Sequence, residues 1–223
     1  MTRGISTRVK GPPAGVVEVW TVALDPPAEA RERLLATLDP EENEQAAMVK
    51  GGEEWALAHG ALRTILAGYL DVGPGTLRFT RGAAGKPRLA NVRGLEFSFA
   101  RTDGLAMIAA ASDRRVGIDV ERVNERTDID AVAKEYLSPI DAAAIEMSPP
   151  EGRRSAFFQA WARHEARLKL RGEGLREQVA GETVESGSLV VVRVVATKPG
   201  FAAAVAAEGG SWTVRIRELF GAP

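Results

Sequence analysis

Gly104-Leu-Ala-Met-Ile-Ala-Ala-Ala-Ser-Asp113 has a near twin further along the chain, Gly200-Phe-Ala-Ala-Ala-Val-Ala-Ala-Glu-Gly209. Each opens on a glycine, runs through small or branched apolar residues and closes on a polar pair, the pattern of a buried strand between turns. A looser likeness joins His59-Gly-Ala-Leu-Arg63 to His164-Glu-Ala-Arg-Leu168. Small apolar strands can resemble one another by chance; the other account is an internal duplication. Duplication implies an α+β fold, a pseudo-twofold pair of similar halves, each a small antiparallel sheet packed against helices. The halves would be residues 1–112 and 113–223, with a cleft between them.

The elements around the two stretches fit that scheme. Val16 to Val22 is β-branched and aromatic and reads as a strand ended by Asp25, Pro26 and Pro27. Helices are expected over Ala28–Leu38 and Glu41–Met48. A longer one over Trp55–Leu70 has Leu57, Ala58, Ala61, Leu62, Ile65, Leu66 and Leu70 at helical intervals. A short strand, Leu77–Thr80, follows Gly73-Pro74-Gly75. Leu95–Phe99, Leu105–Ala111 and Arg115–Val120, with short turns between them, read as an antiparallel meander. Helical signal returns over Val132–Tyr136, at a Ser138-Pro139 start, and over Glu151–Leu170. The strands Leu189–Thr197, Phe201–Ala207 and Trp212–Arg217 close the chain, so helices precede strands in both halves.

Bulk properties narrow the function classes. With 45% hydrophobic and 26% charged residues among 223, the composition is globular. A net charge of −1 offers no basic field for nucleic acid. Cysteine is absent, which removes thiol catalysis and Cys-ligated zinc and suits a reducing compartment. No apolar run has the length of a membrane span, and residues 1–15 lack a signal-peptide core, so a cytoplasmic location is expected.

Two segments could carry chemistry. In Val116-Gly-Ile-Asp-Val-Glu-Arg-Val123, strand alternation puts Asp119 and Glu121 on one face and Ile118 and Val120 on the other. Two such carboxylates either share a hard cation such as Mg²⁺ or are solvated acids paired with Arg114, Arg115 or Arg122. On the helix ending near Leu170, Glu165 and Lys169 stand four residues apart, as a site or as a plain surface ion pair. Phe158, Trp161 and Leu168 belong to its core side.

Together these segments resemble the monomeric, surfactin-type 4′-phosphopantetheinyl transferases. That family carries Gly-[Ile/Val]-Asp-[Ile/Val]-Glu, then Trp-x-x-Lys-Glu-[Ala/Ser]-x-x-Lys, then Gly-x-Gly-Leu. Here the motifs are Gly117–Glu121, Trp161–Lys169 and Gly172–Leu175. Leu62-Arg63, Gly85-Lys86-Pro87 and Phe97-Ser-Phe-Ala-Arg-Thr102 add matches in the same order. The resemblance implies coenzyme A bound between two α+β halves of a monomer. It also implies transfer of 4′-phosphopantetheine to a serine of an apo acyl or peptidyl carrier protein, leaving 3′,5′-ADP. Asp119, Glu121 and Glu165 would hold Mg²⁺, Glu165 would serve as base, and Lys169 would contact phosphate. Lys86, Ala100 and Arg101 would meet the nucleotide.

The chain departs from the family pattern in three places. Ala100-Arg101 replaces Ser-His, His164 replaces the lysine before the glutamate, and Glu41, Glu42, Glu44 and Gln45 stand where relatives place basic residues. The departures suggest an alternative, a catalytically weak homologue that binds coenzyme A or a carrier without efficient transfer. A hydrolase is disfavoured because no Gly-x-Ser-x-Gly elbow is present. Arg153, Arg154, Arg163 and Arg167 are the expected basic surface for an acidic carrier.

Overall fold

Strand β1 (Val16–Ala23) buries both faces, with Val17 and Val19 on one side and Glu18 and Val22 on the other. A strand buried twice over must lie between layers. The computed structural model describes residues 9–82, 85–172 and 189–220 and shows these layers. After β1 come helices α1 (Ala28–Leu35), α2 (Pro40–Met48) and α3 (Gly52–Leu70). Next is a hairpin, β2 (Phe79–Arg81) and β3 (Pro87–Leu89), followed by strands β4 (Glu96–Thr102), β5 (Leu105–Ala111) and β6 (Val116–Arg122). Helices α4 (Ile129–Tyr136), α5 (Pro139–Glu146) and α6 (Pro150–Arg171) lead to β7 (Val190–Val194), β8 (Phe201–Glu208) and β9 (Thr213–Glu218).

One sheet has the order β4-β5-β1-β9 and a second the order β6-β8-β7, with β2 and β3 paired apart. The sheets face each other across a core of Val17, Val19, Met107, Ile118, Val120 and Val205. The outer face of the first sheet packs on α3 through Val22, Ile108, Leu62 and Leu66. Ala204 and Ala206 of the second pack on α6 beside Ala162 and Ala166. Every residue of β5 is buried, and β8 is buried except at its ends. The alanine-rich twin stretches are thus the central strands of the two sheets, where small side chains let layers approach from both sides.

The three-strand meander does not form. Both edges of β5 are taken, by β4 and by β1, so no ladder position beside it remains for β6. The turn after β5 carries β6 into the second sheet, where it pairs antiparallel with β8. It stays beside β4, since the Ile118 N–H donates to Ser98 Oγ at 3.1 Å in place of a ladder bond. The last strand also departs from expectation, because β9 returns to the first sheet and pairs parallel with β1. Strand β9, from the second half of the sequence, thus completes the sheet that the first half begins.

Glu18 fastens that return. Its Oε1 accepts from Arg215 at 3.0 Å and Arg217 at 2.9 Å, and its Oε2 from the Tyr69 hydroxyl at 2.6 Å. The Tyr69 oxygen accepts in turn from Trp20 Nε1 at 2.7 Å. Burial alone would raise the Glu18 pKa, but bonds from Arg217, Tyr69 and Arg215 outweigh it and hold the carboxyl below its usual value. Arg63, the family-like arginine of α3, is 1% exposed and also structural. It binds Asp39 and Glu42, each at 2.6 Å, and the carbonyls of Pro74 and Leu77. Asp39 and Glu42 form the capping box of α2, so Arg63 ties the start of that helix to α3. Among the described residues, no helix is long and apolar enough to cross a membrane.

Candidate active site

Gly117 decides how near helix and strand can come. A Cβ at this position would lie 2.0 Å from the Ala166 carbonyl oxygen and 2.4 Å from the Leu170 nitrogen, so only glycine permits α6 to rest on β6. Alternation then aims Asp119 and Glu121 at the same helix, which brings Glu165 and Lys169 to meet them. Lys169 Nζ donates to Asp119 Oδ1 at 2.7 Å. The other oxygen, Asp119 Oδ2, and one oxygen of Glu165, Oε1, are buried with no hydrogen-bond partner.

The electrostatics follow from that crowding. Burial raises the pKa of Asp119, and attraction to Lys169 only partly offsets it. Glu121 is pushed up to about 7, first by burial and then by repulsion from Asp119, with Lys169 and a bond from Trp161 opposing. Glu165 is raised by burial and again by Asp119. Three carboxyls on a strand and a helix thus all resist ionisation, and a single ammonium stands among them. Their oxygens are not gathered at ligand distances: among the described residues no group of three or more His, Cys, Asp or Glu is placed to hold a metal ion. Lys169 supplies the physical reason at Asp119, where its ammonium takes one oxygen.

Trp161, expected on the core side, joins core to site. It stacks on Phe157 and His164, meets Tyr136 edge-on and favours the charged form of Glu121. The aromatic middle of α6 thereby borders one acid of the cluster. Gly172 ends the helix in a left-handed C-cap with φ of 78°. Gly174 and Leu175 of the Gly-x-Gly-Leu match lie outside the described residues.

The nucleotide-side residues fare differently from one another. Lys86 is turned inward, donating to the Val116 carbonyl at 2.9 Å, and burial brings its pKa down to about 8. It ties the first-half hairpin to the start of β6. Ala100 is 4% exposed in the core between the sheets, so its methyl cannot touch a nucleotide. Strand parity is the reason, since its neighbour Arg101 points the other way, into a pocket of about 790 Å³ shared with Arg81, Trp55, His59 and Phe99. Of these, Arg81 has no signal in the sequence, since an arginine ending a three-residue strand carries no periodicity; His59 stands in the sequence as a histidine of the disfavoured hydrolase reading. The expected basic surface is largely neutralised. Arg153, Arg154 and Arg163 pair with Asp130, Glu125 and Asp141 at 2.8, 2.9 and 3.1 Å.

Comparison with known proteins bears on the same segments. The family model described as the 4′-phosphopantetheinyl transferase superfamily matches residues 115–199, a span that includes β6, α6 and all three acids. The 4′-phosphopantetheinyl transferase HetI of Nostoc sp. is 33% identical over 165 residues, which is 71% of this chain and 70% of that protein. The 4′-phosphopantetheinyl transferase of Bacillus subtilis is 26% identical over 167 residues, 71% of this chain and 72% of its own. The 4′-phosphopantetheinyl transferase AcpT of Escherichia coli K12 is 26% identical over 156 residues, 70% and 76% of the two chains. The likeness to HetI, 33% identity over 71% of this chain and 70% of that protein, establishes that this chain belongs to the 4′-phosphopantetheinyl transferase superfamily.

Proposed function

We propose that this protein moves 4′-phosphopantetheine from coenzyme A to a serine of an apo acyl or peptidyl carrier protein, as a monomeric transferase of the surfactin type. The observation that carries the reading is the trio of pKa-raised carboxyls beside Lys169, Asp119 buried and Glu121 and Glu165 half-buried, with one oxygen of Asp119 and one of Glu165 lacking partners. Unpartnered buried carboxylate oxygens are costly unless a cation or a substrate proton satisfies them. One chain holds Asp119 and Glu121 on β6 and Glu165 and Lys169 on α6, which supports the monomeric form because the cluster needs no second copy.

The donor set suits Mg²⁺, which takes hard oxygens from one to a few carboxylates along with water and substrate phosphates. Asp119, Glu121 and Glu165 are the residues that would hold it. Bound there, the ion would neutralise negative charge on the coenzyme A pyrophosphate. The protein's own groups do the rest. Glu165, whose raised pKa brings it nearer neutrality than an ordinary carboxylate, takes the proton of the carrier serine as its Oγ attacks the phosphorus bearing pantetheine. The bond from that phosphorus to the bridging oxygen breaks, and the pair of electrons leaves with 3′,5′-ADP. Lys169 gives its ammonium to the phosphate oxygens it can reach from Asp119, and Trp161 favours the charged form of Glu121.

Incubation with apo carrier, coenzyme A and Mg²⁺, read by intact mass of the carrier, tests the proposal. A phosphopantetheine adduct that disappears with Glu165→Ala is the expected result. No adduct on several carriers, together with stabilisation of the protein by coenzyme A, would establish the weak, binding-only alternative instead.

A further inference from the structure

We infer that Ser98 and Thr102 are positioning residues, two hydroxyl pins that hold the edge of β6 against β4 and so set the acid cluster in register with the first half. The inference rests on the transferase reading proposed above and deepens it, since a donor lying between the halves needs strands of both at a fixed separation.

The two strands each stand at the end of their own sheet, β4 in the order β4-β5-β1-β9 and β6 in the order β6-β8-β7. Among the described residues, neither has a ladder partner on the edge that faces the other. Side chains of the first half fill the gap. The Ile118 N–H donates to Ser98 Oγ at 3.1 Å, the Arg122 N–H donates to Thr102 Oγ1 at 3.3 Å, and Lys86 Nζ donates to the Val116 carbonyl at 2.9 Å. All three bonds fall on even-numbered residues of β6, as expected when alternate residues turn their backbone groups to one edge. Ser98 is 2% exposed and Ile118 fully buried, so this amide has no water to turn to if the hydroxyl is lost. A ladder would draw the strands to about 4.8 Å. A hydroxyl set between them satisfies the amides while keeping the strands wider apart, which leaves room for a cleft.

The pins also fix the register. Ser98 and Ile118 are twenty residues apart, and so are Thr102 and Arg122, which means the strands run parallel and in step. Between the pins lie Phe99 and Arg101 on β4 and Asp119 and Glu121 on β6. The common offset sets Phe99 alongside Asp119 and Arg101 alongside Glu121. A slip of either strand would carry one pair past the other. Transfer is sensitive to such a slip, because a displacement of about 1 Å between reacting groups can lower a rate about a hundredfold.

Steady-state transfer per folded molecule tests the pins in Ser98→Ala, Thr102→Val, Thr102→Ser and the double variant Ser98→Ala with Thr102→Val. Ser112→Ala is the control, since its hydroxyl also bonds backbone, donating to the Pro12 carbonyl at 2.8 Å, but lies outside the seam. Ser98→Ala should lower kcat about tenfold while KM for coenzyme A moves less than about threefold, the split expected when geometry and not a binding contact is lost. Thr102→Val should lower kcat about threefold, and Thr102→Ser, which keeps the acceptor, should restore it. The double variant should lose more than the product of the single losses, because either pin alone still limits the slip. Hydrogen exchange reads the seam without any chemistry: the Ile118 amide should exchange at least about tenfold faster in Ser98→Ala than in the parent chain. Thr102 is half-buried, so its two variants carry the test if Ser98→Ala does not fold, which a thermal melt decides. Variants that melt earlier, as Ser112→Ala does, yet keep the parent kcat overturn the inference and leave the transferase reading standing. Unchanged exchange at Ile118 overturns it as well. Faster exchange at Ile118 in Ser98→Ala, with no transfer by the parent chain, upholds the pins and sinks the transferase reading.

Discussion

Glu18 and Asp119 are buried to the same degree, 3% and 4% exposed, on similarly placed strands and two register positions apart against the twin strands. Each lies on the strand that opens its half, opposite an alanine of the central strand, Ala110 or Ala204, and each faces the long helix. There the likeness ends. Glu18 has partners for both oxygens and a pKa held low; Asp119 has a partner for one oxygen, two further acids nearby and a pKa pushed up. A buried acid on a similarly placed strand serves as a structural post in the first half and as an unsatisfied, reactive group in the second. Burial does not separate these roles. What separates them is whether the surrounding cations and donors outnumber the acids.

The comparison can be broken by exchanging charge for its neutral isostere. Asp119→Asn should reduce transfer by about a thousandfold or more, a loss typical of removing a group that stabilises developing charge, with little change in melting temperature. A variant with near-normal transfer would put Asp119 in the same structural class as Glu18. Gly117→Ala should cost about 3 kcal/mol and most of the activity, because the added methyl meets backbone that cannot swing aside. Gly60→Ala in the first half, where the Cβ would lie 2.4 Å from the Leu34 carbonyl oxygen, should destabilise comparably but leave transfer per folded molecule unchanged. Denaturant melts beside activity titrations distinguish the two. Glu18→Ala should cost about 2 to 3 kcal/mol by stripping Tyr69 of its buried acceptor, again with specific activity preserved.

Acid and base sharpen the contrast with smaller effects. The Glu121 carboxyl, at about 7 in the fold against 4.5 unfolded, keeps a proton that the unfolded chain has lost. Its contribution to stability is full below about 4.5 and drains away as pH climbs to about 7. Glu18 runs the opposite way, stabilising above its unfolded value and losing that effect as pH falls through its lowered folded value. With chelator present, Glu121→Gln should match the parent chain near pH 4.5 and exceed it by about 2 kcal/mol near pH 7.5. Parallel stability curves for the two proteins would remove Glu121 from the strained cluster.

The sequence carried the reactive half of this comparison and hid the structural half. Asp119 and Glu121 declare themselves by alternation, Glu165 and Lys169 by helical spacing, and the alanine-rich twins by their repeated pattern. Glu18 sits among valines in a stretch that reads as an ordinary strand, and its partners Arg215 and Arg217 lie near the far end of the chain. No local signal links groups so distant. The departure of β6 from the meander was equally invisible, because it depends on β1 having already occupied the free edge of β5. Ala100 and Arg101 look like one two-residue site in the sequence, yet adjacent strand residues point to opposite faces, and only Arg101 reaches the pocket.

The parallel pairing of β9 with β1 bears on how the chain is made. A growing polypeptide would lay down β1, α3, β4 and β5 long before Arg215 and Arg217 exist, and until then the Glu18 carboxylate has Tyr69 as its only partner of the three. Contacts across nearly two hundred residues are slow to close. The first sheet must therefore wait, incomplete and with an under-compensated charge at its centre, while the reactive half is synthesised and folds. Only when β9 docks does Glu18 gain its two arginines, so that a product truncated before Arg215 should carry a less stable first sheet.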